Sequence, residues 1–214
     1  MTSRRITEGL LAGGVIAGPL FTLGSMLEGA TRVDYSAWRH PVSSLALGEH
    51  GWTQVANFFA TGGLLLGFAV GARRADPDST WPPRLIGAIG LGLVGAGVFA
   101  CDPIGGYPPG TPPRPERPSL RGALHQLFST PVFVGLPTMF VIEARRGQPF
   151  WAAYSSATSA AFLGSFAVCS AGFGHAPGFA RVGGLFQRLA LSSGFLWLTL
   201  RAAKMLRDLD QEQE

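Results

Sequence analysis

Three short stretches of the chain hold the residue types that could perform chemistry, and each adjoins an apolar segment. The first contains His40 and Ser43 and precedes the second apolar segment. The second contains Asp102 directly after an apolar run, and the third contains His125 at the start of the next run, with Ser129 four residues later. A carboxylate and an imidazole can act as acid and base or bind a metal ion. We therefore predict Asp102 and His125 as the catalytic candidates.

Two kinds of catalytic site are consistent with these stretches. With a metal, three protein ligands and a water would form a zinc site in which the pKa of the water falls to about 7. The candidate metal ligands are His40, Asp102, His125 and His175. Without a metal, an Asp–His pair could serve as acid and base while a serine acts as the nucleophile. The candidate serines are Ser43, Ser44 and Ser129.

The predicted helix positions of the two catalytic candidates bear on their charge. Asp102 is predicted at the C-terminal end of the third helix, where a carboxylate opposes the helix dipole and needs a cationic or metal partner. His125 is predicted in the first turn of the fourth helix, where the dipole favours the neutral imidazole that ligates metals and accepts protons. We expect the two side chains to interact directly, through water or through a shared metal. A capping role for Asp102 is the structural alternative.

A further set of residues is predicted to bind a ligand. Asn57 lies with Gln54 and Thr61 on one face of the second apolar segment, and polar groups in a bilayer should face the bundle interior or a wet cavity. Hydrogen bonding between helices explains such a face equally well. The predicted ligand-binding residues are His40, Ser43, Trp52, Asn57 and Tyr107. We expect Asn57, Asp102 and His125 to border one cavity that opens at the outer leaflet.

Six apolar segments must position these residues, and each has close to the roughly 20 residues needed to cross a bilayer. They are Gly9–Leu27, Trp52–Ala72, Leu85–Cys101, Leu124–Ile142, Ala152–Phe173 and Val182–Leu200. Charged residues make up only 14% of the chain, well below the usual quarter. Many of the 30 glycines lie inside the apolar runs, where small residues let membrane helices pack closely. The sequence predicts an all-α fold, an integral membrane bundle of six transmembrane helices in a single domain, residues 1–214.

The basic residues predict the orientation of this bundle. With the N-terminus inside, the cytoplasmic basic residues are Arg4, Arg5, Arg73, Arg74, Arg84, Arg145, Arg146, Arg201, Lys204 and Arg207. The outer ones are Arg32, Arg39, Arg114, Arg117, Arg121 and Arg181. Because cytoplasmic loops carry the excess of Lys and Arg, we predict a multi-pass protein of the cell membrane with cytoplasmic N- and C-termini. The basic residues form short clusters between apolar runs, so the net charge of +4 does not indicate a nucleic-acid partner.

The same three stretches resemble a known family. They read Arg39-His40-Pro41 with Ser43, Leu45 and Gly48, then Phe99 to Pro103 around Asp102, and then His125. This combination is similar to the bacterial and archaeal membrane-protein family named domain of unknown function 998. The motifs cover roughly residues 34–137, and the last two segments match by hydropathy. The resemblance implies a helical membrane fold and a role for Asp102 and His125, and it implies no activity.

Two classes of function fit the sequence. The first is a non-enzymatic bundle that binds a membrane lipid, a small apolar ligand or a cofactor in a pocket open to the outer face, and haem fits such a pocket about as well as lipid. The alternative is a membrane-embedded hydrolase or lipid-modifying enzyme that uses Asp102 and His125, with or without zinc as its cofactor. Ceramidase-like membrane hydrolases offer an analogy, although their seven helices and their motifs differ from this chain. The sequence sets neither the oligomeric state nor whether Cys101 and Cys169 pair.

Overall fold

The computed structural model describes residues 2–113, 116–146 and 148–211. In these ranges the chain forms α1 (Thr2–Thr31), α2 (Trp52–Ala75), α3 (Trp81–Val98), α4 (Leu120–Arg146), α5 (Pro149–Phe173) and α6 (Gly183–Gln211). A short 3-10 helix, Val42–Ala46, lies between α1 and α2. Helices are the sole regular secondary structure of the described residues, so the predicted all-α class is confirmed.

The six helices form a closed ring. Each helix packs against its neighbour in sequence, and α6 also packs against α1. The core of the ring is apolar, and its largest fully buried side chains are Phe68, Phe140, Phe162, Phe195 and Trp197. The indole of Trp197 donates a hydrogen bond of 3.0 Å to the hydroxyl of Ser155. This contact satisfies a polar group that burial would otherwise penalise.

Five of the helices, α1 to α5, are long and apolar enough to cross a membrane. The outer surface of the ring carries exposed large apolar side chains, among them Leu27, Leu91, Leu127 and Phe150. Lipid can accept such side chains, whereas a water-exposed protein rarely presents so many. The prediction of several membrane-type helices is therefore confirmed. The sixth span stays a prediction, because α6 contains Arg188 and falls outside the five.

Glycine allows a close contact between α2 and α3. A Cβ added at Gly62 of α2 would lie 2.7 Å from the carbonyl oxygen of Gly90 on α3, and one added at Gly90 would lie 2.9 Å from the oxygen of Gly62. Real Cβ atoms do not approach a carbonyl that closely. The α2–α3 contact therefore depends on the absence of side chains at these two positions.

Two helix ends near the candidate residues differ from the prediction. Helix α3 ends at Val98, and Phe99 is already extended with φ −105° and ψ 116°. Pro103 disfavours helical backbone at Asp102, the residue before it, so the helix does not resume there. Helix α4 begins at Leu120 rather than Leu124. Asp102 consequently lies in the connecting loop, and His125 lies in the second turn of α4 rather than the first.

The longer connections all lie at one end of the ring. We call this the loop-rich end, formed by residues 32–51, 99–113 and 174–182. Arg188 of α6 is buried there, and its guanidinium donates hydrogen bonds to the carbonyls of Ala37 at 2.8 Å and His40 at 3.1 Å. It also donates to the hydroxyl of Tyr35. This arginine ties the first loop to α6 through carbonyl and hydroxyl oxygens.

Candidate functional site

A cavity of about 780 Å³ lies within the ring at the loop-rich end. Four residues predicted as site residues line it, namely Ser43, Asp102, His125 and His175. Ser129, one of the candidate nucleophiles, lines it as well. Much of its remaining wall is apolar and includes Val132, Phe133, Phe166, Phe173 and Leu191. The structure thus brings residues from distant parts of the chain to a single apolar cavity with one polar region.

Exposed residues of α4 and α5 form part of the cavity lining, which indicates an opening between these two helices. They are Gln126, Thr130 and Val134 of α4 and Ser170 of α5. Phe133 and Phe166 stack across the inner part of this gap with ring centroids 4.9 Å apart. A ligand could therefore enter through the side of the bundle.

Asp102 is held at the start of α4. Its carboxylate accepts hydrogen bonds from the Ser119 hydroxyl at 2.6 Å and from the Ser119 backbone N–H at 3.0 Å. The Ser119 hydroxyl in turn accepts from the Gly122 N–H at 2.9 Å, which caps the helix. A Cβ at Gly122 would overlap the Asp102 carboxylate. The predicted position opposite the α3 dipole is therefore wrong: the carboxylate lies at the N-terminus of α4, where the dipole stabilises it.

His125 is almost completely buried, and its hydrogen bonds define its tautomer. Its Nδ1 lies 2.8 Å from the carbonyl oxygen of Phe99 and 3.1 Å from that of Ala96, both at the end of α3. A carbonyl oxygen accepts and never donates, so Nδ1 must carry the proton. In the neutral ring, Nε2 is then an acceptor. None of the described residues partners this Nε2, and the side chain lines the cavity.

Asp102 and His125 share the cavity without touching through a hydrogen bond. The contacts among the described residues join Asp102 to Ser119 and His125 to the α3 carbonyls. An Asp–His dyad in which the carboxylate orients the ring is therefore absent from this described part of the chain. Backbone carbonyls perform the orienting role. Interaction through a water or a metal stays a prediction.

His40 and Tyr107 lie beside the cavity rather than in its wall. The Nδ1 of His40 accepts a hydrogen bond from the Ser36 N–H at 3.0 Å. Its ring packs 5.3 Å from that of Tyr107 and 5.4 Å from that of Tyr35. Burial lowers the pKa of His40, and the nearby Arg39 and Arg188 lower it further against a backbone hydrogen bond at Gly105 that raises it. This aromatic cluster supports the loops around the cavity.

Asn57 and Trp52 are also outside the cavity wall. The Asn57 amide donates to the Phe21 carbonyl of α1 at 3.2 Å, and its oxygen accepts from the Thr61 hydroxyl at 3.2 Å. The expectation that Asn57 borders the cavity with Asp102 and His125 is therefore wrong, because this polar face packs between α1 and α2. Trp52 is 69% exposed at the first turn of α2, a position typical of aromatic residues at a membrane interface.

The predicted metal ligands are only partly brought together. Asp102, His125 and His175 line the cavity, and His40 does not. Within the described ranges, no three His, Cys, Asp or Glu side chains are close enough to hold a metal ion. His125 Nε2 is the donor best placed for a cofactor. The metal and cofactor assignments therefore stay predictions.

The sequence analysis missed several cavity residues. Gln187 lines the cavity, and its Oε1 accepts a hydrogen bond of 2.8 Å from the Val42 N–H, which leaves its amide N–H groups for a ligand. A polar residue inside the last apolar segment was the available signal. Cys101 and Cys169 line the cavity as free thiols. Burial raises the pKa of Cys101 to about 11.

The fold and cavity define an all-helical protein with several membrane-type helices and one laterally open cavity. Comparison with known families then places the chain. It belongs to the family described as "Protein of unknown function (DUF998)", whose sequence profile matches residues 15–204. The resemblance seen in the sequence is thereby confirmed and extends from α1 into α6. No curated protein and no solved structure matches the chain.

Proposed function

We propose that this protein is a multi-pass protein of the cell membrane that binds a lipid or another small apolar ligand in the cavity between α4 and α5. The observation that carries the proposal is the cavity itself. Its volume of about 780 Å³ falls within the range of roughly 300–1,000 Å³ typical of small-molecule sites. Its wall is apolar and its polar groups are few, which is the usual composition of such sites.

The lateral opening supports a ligand that comes from the membrane. Helices α4 and α5 are both membrane-type helices, so a gap between them faces hydrocarbon when they span a bilayer. The proposed arrangement has six spans with both termini in the cytoplasm, which puts the loop-rich end outside. The excess of basic residues at the opposite end supports that orientation. The ligand would then enter from the outer leaflet.

Blocking the opening tests this function. Thr130 lines the cavity, whereas Thr138 lies two turns further along α4, outside its lining. Both threonines are exposed and donate to the carbonyl four residues earlier, at 2.9 and 2.7 Å. We expect Thr130→Trp to lose most of the lipid that co-purifies in mild detergent, as measured by native mass spectrometry. Thr138→Trp should retain it. Equal retention by both variants would contradict the proposal.

Hydrolysis or modification of a lipid is the second candidate function, and the state of His125 favours it. A neutral imidazole with Nδ1 protonated and Nε2 facing a cavity can take a proton from a water or a hydroxyl. Ser129 lines the same cavity one helical turn away and could supply that hydroxyl. Asp102 would act through its charge, since it does not orient the ring.

A further inference from the structure

The charged groups of the cavity have one sign. Asp102 and Glu116 both line it, and the described lining residues include no lysine or arginine. Asp102 faces the N-terminal end of α4, whose dipole stabilises its charge. A phosphate, sulfate or carboxylate headgroup would therefore face Asp102 and Glu116 with no basic side chain in the described wall. Like charges placed together in an interface disfavour binding.

The uncharged polar groups of the cavity add to this preference. His125 is only 3% exposed, and its Nε2 is an acceptor without a partner among the described residues. An acceptor at a cavity wall that has no protein partner can accept a hydrogen bond from a ligand. The Asp102 carboxylate has accepting positions beyond the two that Ser119 uses. Gln187 contributes a neutral donor, which suits a hydroxyl or an amide oxygen next to the donating group.

The apolar wall of the cavity indicates the chemistry of the rest of the ligand. Phe133 and Phe166 form a stacked pair at the gap between α4 and α5, and Val134 is exposed at its outer edge. A hydrocarbon chain that passes this pair reaches the outside of the ring directly. The polar and apolar parts of the cavity therefore match the two parts of an amphiphile.

We propose that the ligand is an amphiphile whose headgroup donates hydrogen bonds and carries no negative charge, a primary amine in preference to an alcohol. The headgroup lies between Asp102 and the Nε2 of His125, and the hydrocarbon chain leaves between α4 and α5. This inference rests on the proposed function. It adds the chemical class of the headgroup, because an ammonium group forms a charge-assisted hydrogen bond with a carboxylate whereas a carboxylate or phosphate cannot.

Three probes with the same hexadecyl chain test the headgroup. They are an amine, an alcohol and a carboxylate, each with a photoreactive diazirine near the methyl end. The full chain is reconstituted in phosphatidylcholine nanodiscs at neutral pH and irradiated. Labelling of α4 and α5 peptides is measured by mass spectrometry, and the labelling of Thr130→Trp is subtracted as the part independent of the cavity. We expect the amine to label about tenfold more than the carboxylate, with the alcohol between them.

Two carboxylate variants assign the preference to Asp102. In Asp102→Asn the amine should label no more than the alcohol, because the carboxylate proposed to contact the headgroup is gone while Glu116 remains in the wall. Asp34→Asn is the matched control, since Asp34 is an exposed carboxylate at the same end and outside the cavity lining. Its φ of 62° is one that asparagine also tolerates. The ranking of the three probes in this control should equal that of the unchanged protein.

The possible results distinguish a wrong headgroup class from a wrong binding function. Cavity-dependent labelling that is equal for all three probes, or greatest for the carboxylate, overturns the headgroup class and leaves an apolar binding site. If no probe labels the unchanged protein more than it labels Thr130→Trp, the binding function and this inference are both overturned. The comparison of probes on the unchanged protein decides the matter even where Asp102→Asn fails to fold.

Discussion

At the scale of single residues, the orientation of His125 determines what the cavity can do. Its Nδ1 donates to the carbonyls of Ala96 and Phe99 and fixes the ring in place. The other nitrogen, Nε2, is therefore the atom that can contact a ligand. The sequence predicted His125 as a site residue, but it did not predict that backbone carbonyls rather than Asp102 bind its Nδ1. The group that binds the His125 ring depends on where α3 ends. No pattern in the sequence shows whether a loop carbonyl or a carboxylate is the nearest acceptor.

Two substitutions of His125 test the roles of Nδ1 and Nε2 separately. In His125→Asn the side-chain NH₂ replaces Nδ1–H, so we expect an unchanged unfolding midpoint and a loss of cavity-dependent ligand binding and of any lipid hydrolysis. In His125→Gln the two α3 carbonyls lose their donor, and the protein should lose about 1–3 kcal/mol of stability. Thermal unfolding in detergent and probe labelling measure the two effects. Retained binding in His125→Asn would show that Nε2 has no part in it.

His40 should make stability depend on pH. Its pKa is lowered in the folded protein, mainly by burial, whereas an unfolded histidine titrates at about 6.5. Between these two values the unfolded chain binds more protons, so stability must fall as the pH decreases below about 6.5. We expect the unfolding midpoint to drop over this range and His40→Asn to show a flatter profile. Parallel profiles for both proteins would contradict the assignment.

At the scale of helices, the sequence predicted the elements well and their ends less well. Hydropathy located all six helices because each apolar run is long. It placed the start of α4 too late, because Leu120 and Arg121 precede the continuous apolar run and the cap at Ser119 is a local hydrogen bond. This shift of one turn moves His125 away from the helix end. It also turns Asp102 from a residue that opposes a helix dipole into one that the next helix stabilises.

The contact between α2 and α3 allows a test with adjacent glycines. A Cβ at Gly62 would lie 2.7 Å from the Gly90 oxygen, whereas one at Gly63 would have nothing within 4 Å. Gly62→Ala must push the two helices apart, and we expect a loss of about 1–3 kcal/mol. Gly63→Ala should be neutral or slightly stabilising. Thermal unfolding of both variants measures the difference, and equal midpoints would argue against the close contact.

At the scale of the whole molecule, the closed ring explains why some polar residues were misassigned. Asn57 and Asp102 both come from polar stretches near the loop-rich end, but the ring turns Asn57 toward α1 and Asp102 toward α4. Periodicity shows which residues share a helix face. It does not show which neighbour that face meets. The cavity could be predicted as a region of the chain and not as a set of side chains.

The orientation of the ring can be tested by cysteine labelling. In a background with Cys101→Ala and Cys169→Ala, an impermeant maleimide applied to intact cells should label Pro112→Cys. It should label Asp78→Cys and Asp208→Cys only after permeabilisation, because all three positions are exposed and six spans put the last two inside. Labelling of both Pro112→Cys and Asp208→Cys in intact cells would mean that α6 does not cross. Labelling of Asp78→Cys and Asp208→Cys without Pro112→Cys would reverse the orientation.

The gap between α4 and α5 also determines which concentration of the ligand sets the occupancy of the cavity. A ligand that enters there equilibrates with the bilayer and not with the surrounding water. Occupancy then follows the ligand's mole fraction among the lipids, and its aqueous solubility drops out of the equilibrium. Adding empty vesicles at a fixed total amount of ligand would dilute the ligand in two dimensions and empty the cavity. An affinity quoted in molar units would change with every change in lipid content, whereas one quoted per lipid would not.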